Sequence, residues 1–300
     1  MGFFIGPPDW TTGQRASVKM ASMQKIHDLH AHSTASDGTL EPAQLMERAH
    51  DAGVGVMALT DHDTLEGLDE AAQAAARLGL AFVPGVEISV TWNGGTVHLL
   101  GLGVDPKHAD LNRGLLSLRA FRDWRAEEIG ARLAKAGIEG MYESARGFSN
   151  GRLIGRTHFA RALVQARHAG SVPEVFKRFL VKGKPGFVQG EWATLADAVG
   201  WITGSGGQAV IAHPARYRMT RTKLRRLIAE FVESGGVGFE VVSGSHSRDE
   251  SFTMAAHARD FKLLASAGSD YHGPENPWLE LGRLPQLPAG CKPIWHDWAN

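Results

Sequence analysis

His30 and His32 stand two residues apart at the end of the run 26–30, and the period of two in an extended strand sends both imidazoles to one side. Asp37 follows in the turn sequence Ser36-Asp37-Gly38. The same placement recurs along the chain. Thr60-Asp61-His62-Asp63 closes the run 54–59, Pro84-Gly85-Val86-Glu87 follows 81–83, and His98 lies between Val97 and Leu99. His213 closes 208–212, and Gly268-Ser269-Asp270-Tyr271-His272 follows 262–265, so that Asp270 and His272 repeat the two-residue spacing. Imidazole and carboxylate without thiolate suit Mn²⁺, Fe²⁺ or Zn²⁺. These nine donors exceed what one ion can use, which implies two or three. Left unpaired at buried strand ends, such groups would lose several kcal/mol of solvation, a cost that divalent cations remove.

The elements that must position them read as α/β. From residue 25, short β-like runs alternate with amphipathic helical ones, as in parallel strands joined by crossover helices, whose C-terminal ends carry the active sites of α/β barrels. Strands are expected at 26–30, 54–59, 81–83, 96–102, 208–212, 237–242 and 262–265. Helices are expected near 42–53, 65–78, 195–203, 223–234 and 252–259. Between 105 and 189 helical periodicity dominates, over 111–136, 157–168 and 172–180. The expected organisation is an N-terminal extension over 1–23, a barrel built from 24–104 and 190–300, and an inserted helical lobe over 105–189 packed on that barrel. His50, His108, His168, His257 and His296 fall on polar helical or terminal stretches and read as solvated. Asp28 shares the face of His30 and is expected to orient an imidazole, and Asp61 and Asp63 invite the same reading.

Lys+Arg number 32 and Asp+Glu 32, a balance that argues against a broad cationic surface for long duplexes. One cysteine, Cys291, excludes an intrachain disulfide, and neither a membrane span nor a secretory leader is evident. A cytoplasmic location is expected, with no membrane partner.

The motifs DLHAHSTASDG, ALTDHDTLEG, PGVEIS, VHLLG, VIAHPARY, EVVSGSH and AGSDYHGP resemble those of the PHP (polymerase and histidinol phosphatase) metal-dependent phosphoesterases. They cover 25–104 and roughly 190–282. The resemblance is greatest to the bacterial members that hydrolyse 3′,5′-nucleoside bisphosphates and trim short RNA from its 5′ end. Those members share a helical insert with a segment matched here by Gly155-Arg156-Thr157-His158-Phe159-Ala160, Thr157 standing where proline is usual. The resemblance implies a distorted seven-stranded, TIM-like (β/α)7 barrel. It implies one metal on His30, His32, Glu87 and Asp270, a second on Asp37, His62 and His272, and a third on His98 and His213 with Glu87 bridging. Manganese ranks first, with iron and zinc as alternatives.

The implied activity is release of phosphate from a small bisphosphorylated nucleotide by a hydroxide held between two ions, with trimming of short RNA as a related activity. Phosphate recognition needs cations, and Arg156, His158, Lys184 and Arg216 are the candidates. His246 either reaches the mouth of the site or hydrogen-bonds its own loop. Trp124, Trp192 and Trp201 could stack on a base, although amphipathic helices more often place such residues in a core. A histidinol-phosphate-type phosphomonoesterase and a non-catalytic, metal-stabilised binding domain are the competing readings.

Overall fold

Aliphatic runs too short for helices pair side by side in a computed structural model that describes residues 25–149 and 152–298; the expected extension over 1–23 lies outside the described residues. Seven strands, β1 (His27–Asp28), β2 (Val56–Leu59), β3 (Ala81–Trp92), β4 (Gly95–Leu102), β5 (Gln208–Ile211), β6 (Gly238–Ser243) and β7 (Leu264–Gly268), form one sheet in chain order. Beyond β1 the chain bonds to the other edge. Leu29 N–H donates to Ala267 O, Asp270 N–H to His30 O and His32 N–H to Tyr271 O, which draws the sheet into a nearly closed barrel.

The expectation of parallel strands holds for β1–β2–β3 and β5–β6–β7 but fails at β4, which runs antiparallel to both neighbours. The reason is a two-residue turn. Asn93 and Gly94 both take positive φ, 47° and 73°, the backbone required by a tight hairpin, and Trp92 pairs with Gly95 across it. β3 therefore extends to Trp92, well past the predicted 83, and Glu87 lies inside a strand.

Helices follow the expected periodicity. α1 (Pro42–Asp51) starts with proline in its first turn, α2 (Leu68–Leu78) ends on Gly79 at φ 67°, and α7 (Leu195–Gly204), α8 (Arg221–Glu233) and α9 (Arg248–Asp260) cover the later strands. Between β4 and α7 come α3 (Ala109–Lys135), α4 (Met141–Phe148), α5 (Arg156–Gln165) and α6 (Val172–Val175), the last continued by one π-turn. Their own apolar cluster includes Ile129, Leu133, Phe159, Leu163 and Leu180, whereas Leu111, Leu115 and Leu118 at the start of α3 pack into the core shared with the barrel.

Alternation along the strands sorts the barrel into layers. Val86, Ile88 and Val90 face the helices while Glu87 and Ser89 between them face inward. Inside, Leu29, Ala58, Leu100, Val210 and Ile294 fill one end of the barrel, and the polar donors sit at the other. Arg122 of α3 locks the helical segment to that wall. Its Nε donates to Asp63 Oδ2 at 2.7 Å and its Nη2 to Ser89 Oγ at 2.9 Å, with both charged partners buried. Arg122→Ala leaves Asp63 buried and unpaired and is expected to destabilise the fold by about 3–5 kcal/mol, read from the urea midpoint at constant m-value.

Candidate metal centre and phosphate cleft

All nine sequence-expected donors converge at the strand ends of one barrel mouth, and Glu87 is their hub. Its Oε1 lies 2.9 Å from His98 Nδ1, 2.9 Å from His213 Nε2 and 3.5 Å from His30 Nε2. Its Oε2 lies 2.8 Å from His62 Nδ1 and 3.3 Å from His32 Nε2. Asp270 Oδ1 is 3.4 Å from both His30 Nε2 and His32 Nε2, and Asp37 Oδ1 is 3.3 Å from His272 Nε2. His98 reaches the mouth because β4 is reversed, which brings the beginning of that strand level with the ends of its neighbours.

The donor set fits divalent ions on two observations. Three groups each bring ligand atoms within 4.8 Å of one another: His32, Asp37, His62 and His272; His30, His32 and Glu87; and His62, Glu87 and His98. Several close approaches are also not hydrogen bonds. His62 Nδ1 and His98 Nδ1 approach Glu87 without the directionality of one, and with Asp37 Oδ1 they are buried without a hydrogen-bond partner among the described residues. Lone pairs aimed at a common point are what shared cations require.

Electrostatics agree. Burial alone would raise the carboxyl groups, but His272 and His62 hold Asp37, and His62, His98 and His30 hold Glu87, well below the usual carboxylate range. Burial and the repulsion of His272 push His32 down to about 3, whereas Asp37 overcomes burial and lifts His272 to about 9. Protons on a few imidazoles thus balance carboxylates that stay ionised. Asp63, His213 and Asp270 take positive φ of 50°, 28° and 57°, backbone strain of the kind that collects at functional sites.

Asp28 does not orient an imidazole. It accepts from the backbone N–H of Ser269 at 2.7 Å and Gly282 at 3.1 Å, which ties the β7 loop down. Asp61 instead pins the loop after β1 by accepting from Ser33 and Ser36. The orienting carboxylate is Glu240, which the sequence analysis missed: Oε1 lies 3.0 Å from His30 Nδ1, and Oε2 accepts the backbone N–H of His213. Glu240 faces into the barrel by period-two alternation with Gly238, while Phe239 and Val241 pack outward, and Gly268 makes room, since a Cβ there would stand 2.3 Å from that of His30.

The mouth opens into a cleft with about 700 Å³ of empty space, part of it open to solvent, walled by Arg122, Arg125, Arg156, Arg216, Phe176 and Trp192. Arg216 Nη1 contacts Asp270 Oδ2 at 2.5 Å. His158 is buried, and its Nδ1 accepts the Gly155 N–H at 3.0 Å, which caps α5 and places the neutral ring's proton on Nε2. Burial lowers its pKa to about 4. Three of the residues expected to bind phosphate do not line the cleft, the buried His158 being one. Lys184 is exposed and outside the cleft lining, and His246 is taken up by the turn after β5 and by β6, with Nε2 accepting from Ala215 N–H and Nδ1 3.2 Å from Val241 O. Arg122 and Arg125, one helical turn apart, were the cations the sequence analysis overlooked.

A model of the PHP domain matches residues 28–242. The chain belongs to the PHP domain family. It is similar to a 3′,5′-nucleoside bisphosphate phosphatase of Chromobacterium violaceum, 49% identical over 90% of this chain and 95% of the relative. It is also similar to the 5′-3′ exoribonuclease Rnm of Escherichia coli, 44% identical over 91% and 94%. Among solved structures, an amidohydrolase from Chromobacterium violaceum with bound sulfate and no metal superposes at a TM-score of 0.87, with 49% identity over 90% of this chain and 94% of that one. A metal-dependent phosphoesterase assigned in Bifidobacterium adolescentis gives 0.77 at 27% identity, over 86% and 91%. This PHP chain is therefore a hydrolase of phosphate esters in a metal-dependent family, which sets aside the non-catalytic reading. Among its described residues no helix is long and apolar enough to cross a membrane.

Proposed function

We propose that this PHP enzyme releases phosphate from 3′,5′-bisphosphorylated nucleotides in the cytoplasm and accepts the 5′ end of short RNA in the same cleft, leaving long duplexes and membranes aside. The observation that carries the reading is a single cleft in which the Glu87-centred donors face Arg156, a guanidinium that makes no ion pair among the described residues. One end suits the phosphate that reacts, and the other a second anion. The relatives named above act on substrates of both kinds by name.

His30, His32, Glu87 and Asp270 would hold one ion, Asp37, His62 and His272 a second, and His98 and His213 with Glu87 a third, with manganese ahead of iron and zinc. Bound there, such ions would make water a nucleophile at neutral pH and neutralise charge on the phosphoryl group. The remaining work belongs to the chain. Arg216, held against Asp270, presents its fork to equatorial phosphate oxygens, while Arg156 faces the substrate from the start of α5, where backbone N–H groups also favour an anion and the buried His158 caps the helix behind it. Lys184 stays a solvated surface charge in this reading. The barrel (24–104 and 190–300) supplies the donors and Arg216, and the lobe over 105–189 supplies the other substrate cations.

Phosphate release assayed with Mn²⁺ on adenosine 3′,5′-bisphosphate, histidinol phosphate, p-nitrophenyl phosphate and a short 5′-phosphorylated RNA tests the proposal. Preference for histidinol phosphate, or no release from the first and last of these, would sink it. Glu240→Gln, which weakens the hold on the His30 ring, is expected to lower metal affinity about 10–100-fold in a titration followed by elemental analysis. Metal must also displace the proton that Asp37 stabilises on His272. Apparent affinity is therefore expected to climb with pH until about 9, with net proton release in calorimetry below it.

A further inference from the structure

Tyr217 closes the motif VIAHPARY, four residues beyond His213, at the end of the short helical turn Pro214–Tyr217. Its ring packs edge-on against the His213 imidazole, with centroids 5.5 Å apart, and rests on the apolar core of the strands. Packing accounts for the ring but not for its hydroxyl. That group accepts the backbone N–H of His98 at 2.8 Å and lies 2.9 Å from the Ala212 carbonyl, to which it donates.

Strands β4 and β5 are antiparallel, and a hydrogen-bonded pair in such a ladder exchanges two direct backbone bonds. Leu99 opposes Ile211, so the next pair toward the mouth is His98 with Ala212. One bond of this pair is direct, from Ala212 N–H to His98 O at 3.1 Å. The return path from His98 N–H to Ala212 O runs through the phenol hydroxyl instead. Tyr217 therefore stands in the place of a ladder bond and keeps the two strands apart on one side, at the level where each delivers an imidazole. His98 Nδ1 and His213 Nε2 both come within 2.9 Å of Glu87 Oε1, and their ring centroids lie 5.3 Å apart. Glu240 fixes the backbone of His213 from the β6 side, and Tyr217 fixes that of His98. Two rings aimed at a single oxygen leave little tolerance for a shift of either strand.

We propose that Tyr217 is a positioning residue for the ion shared by His98 and His213, its hydroxyl setting the separation of the two imidazoles by standing between the strands that carry them. The proposal rests on the reading that these two histidines ligate a metal, and goes beyond it in naming what sets their spacing. Without the hydroxyl, the His98 N–H and the Ala212 carbonyl either lose their partner or close into a direct bond that draws the strand ends together. Both outcomes move the donors.

The test uses the full chain as wild type, Tyr217→Phe, His213→Asn and the double variant, with thermal melts in chelator to confirm that each folds. Mn²⁺ uptake is followed by equilibrium dialysis and elemental analysis. Tyr217→Phe, which keeps the ring, is expected to weaken one step of uptake about tenfold or more and to leave the others unchanged. In the His213→Asn background the same substitution is expected to have no effect, because the site that it positions is already broken. Equal uptake by wild type and Tyr217→Phe overturns the proposal. So does a loss that persists in full once His213 is gone, which would mark a general loosening of the barrel. Saturation of the wild type at two ions rejects the three-ion reading; a loss that depends on His213 then still supports the positioning role, and its absence overturns it.

Discussion

Glu87→Gln is expected to remove turnover, with kcat down at least about 10³-fold, and to strip more metal from the purified protein than replacement of any single histidine. Five imidazoles approach the two oxygens of this one carboxylate, from four different strand ends besides its own. The amide is the same size but carries no charge and turns one acceptor into a donor, which faces nitrogens that must themselves present lone pairs. The loss should therefore be shared among all the ions. Elemental analysis beside single-turnover phosphate release checks it. A variant that keeps its full metal complement and more than a tenth of wild-type kcat would remove Glu87 from the centre of the site.

Chelation is the second large effect. Dialysis against a strong chelator is expected to abolish phosphate release and to lower the melting temperature, with both restored by Mn²⁺. Each ion bound at a thousand times its dissociation constant adds about 4 kcal/mol to stability by mass action. The reason for a stability effect lies in the donors. His32 Nε2 and His30 Nε2 stand 3.2 Å apart, and three buried ligand atoms lack hydrogen-bond partners among the described residues, so the metal-free barrel mouth holds facing lone pairs in register at a cost. Differential scanning fluorimetry across a Mn²⁺ series should show the melting temperature rising with concentration. A melt insensitive to both chelator and manganese would contradict the fit of these donors to cations.

The convergence of the nine donors was legible because their spacing is mechanical. Period-two alternation placed His30 with His32, and a strand end fixed each of the others, so chemistry followed from pattern. The reversed β4 was legible too, in Asn93-Gly94 between alternating runs, but a crossover pattern on both sides hid it. Glu240 was opaque for a different cause: it faces inward by plain alternation with Gly238, but a strand buried on both faces carries no polar alternation in its sequence to mark which face is which. Arg122 and Arg125 were obscured by the length of α3, whose first half belongs to one core and second half to another, so that no single apolar face runs along it. Lys184 shows the opposite error, a cation beside glycine and proline that looks like a phosphate loop and lies in solvent.

The hairpin that carries Glu87 and His98 has a consequence for biosynthesis. β4 finds its second neighbour, β5, only after the intervening helices have been made, and His30 meets Glu240 and Asp270 from opposite ends of the polypeptide. A chain made only as far as the helices after β4 thus carries His30, His32, Asp37, His62, Glu87 and His98 but not His213, Glu240, Asp270 or His272. Ion loading therefore waits on closure of the whole seven-stranded sheet, because the donors come from strands on both sides of the intervening helices.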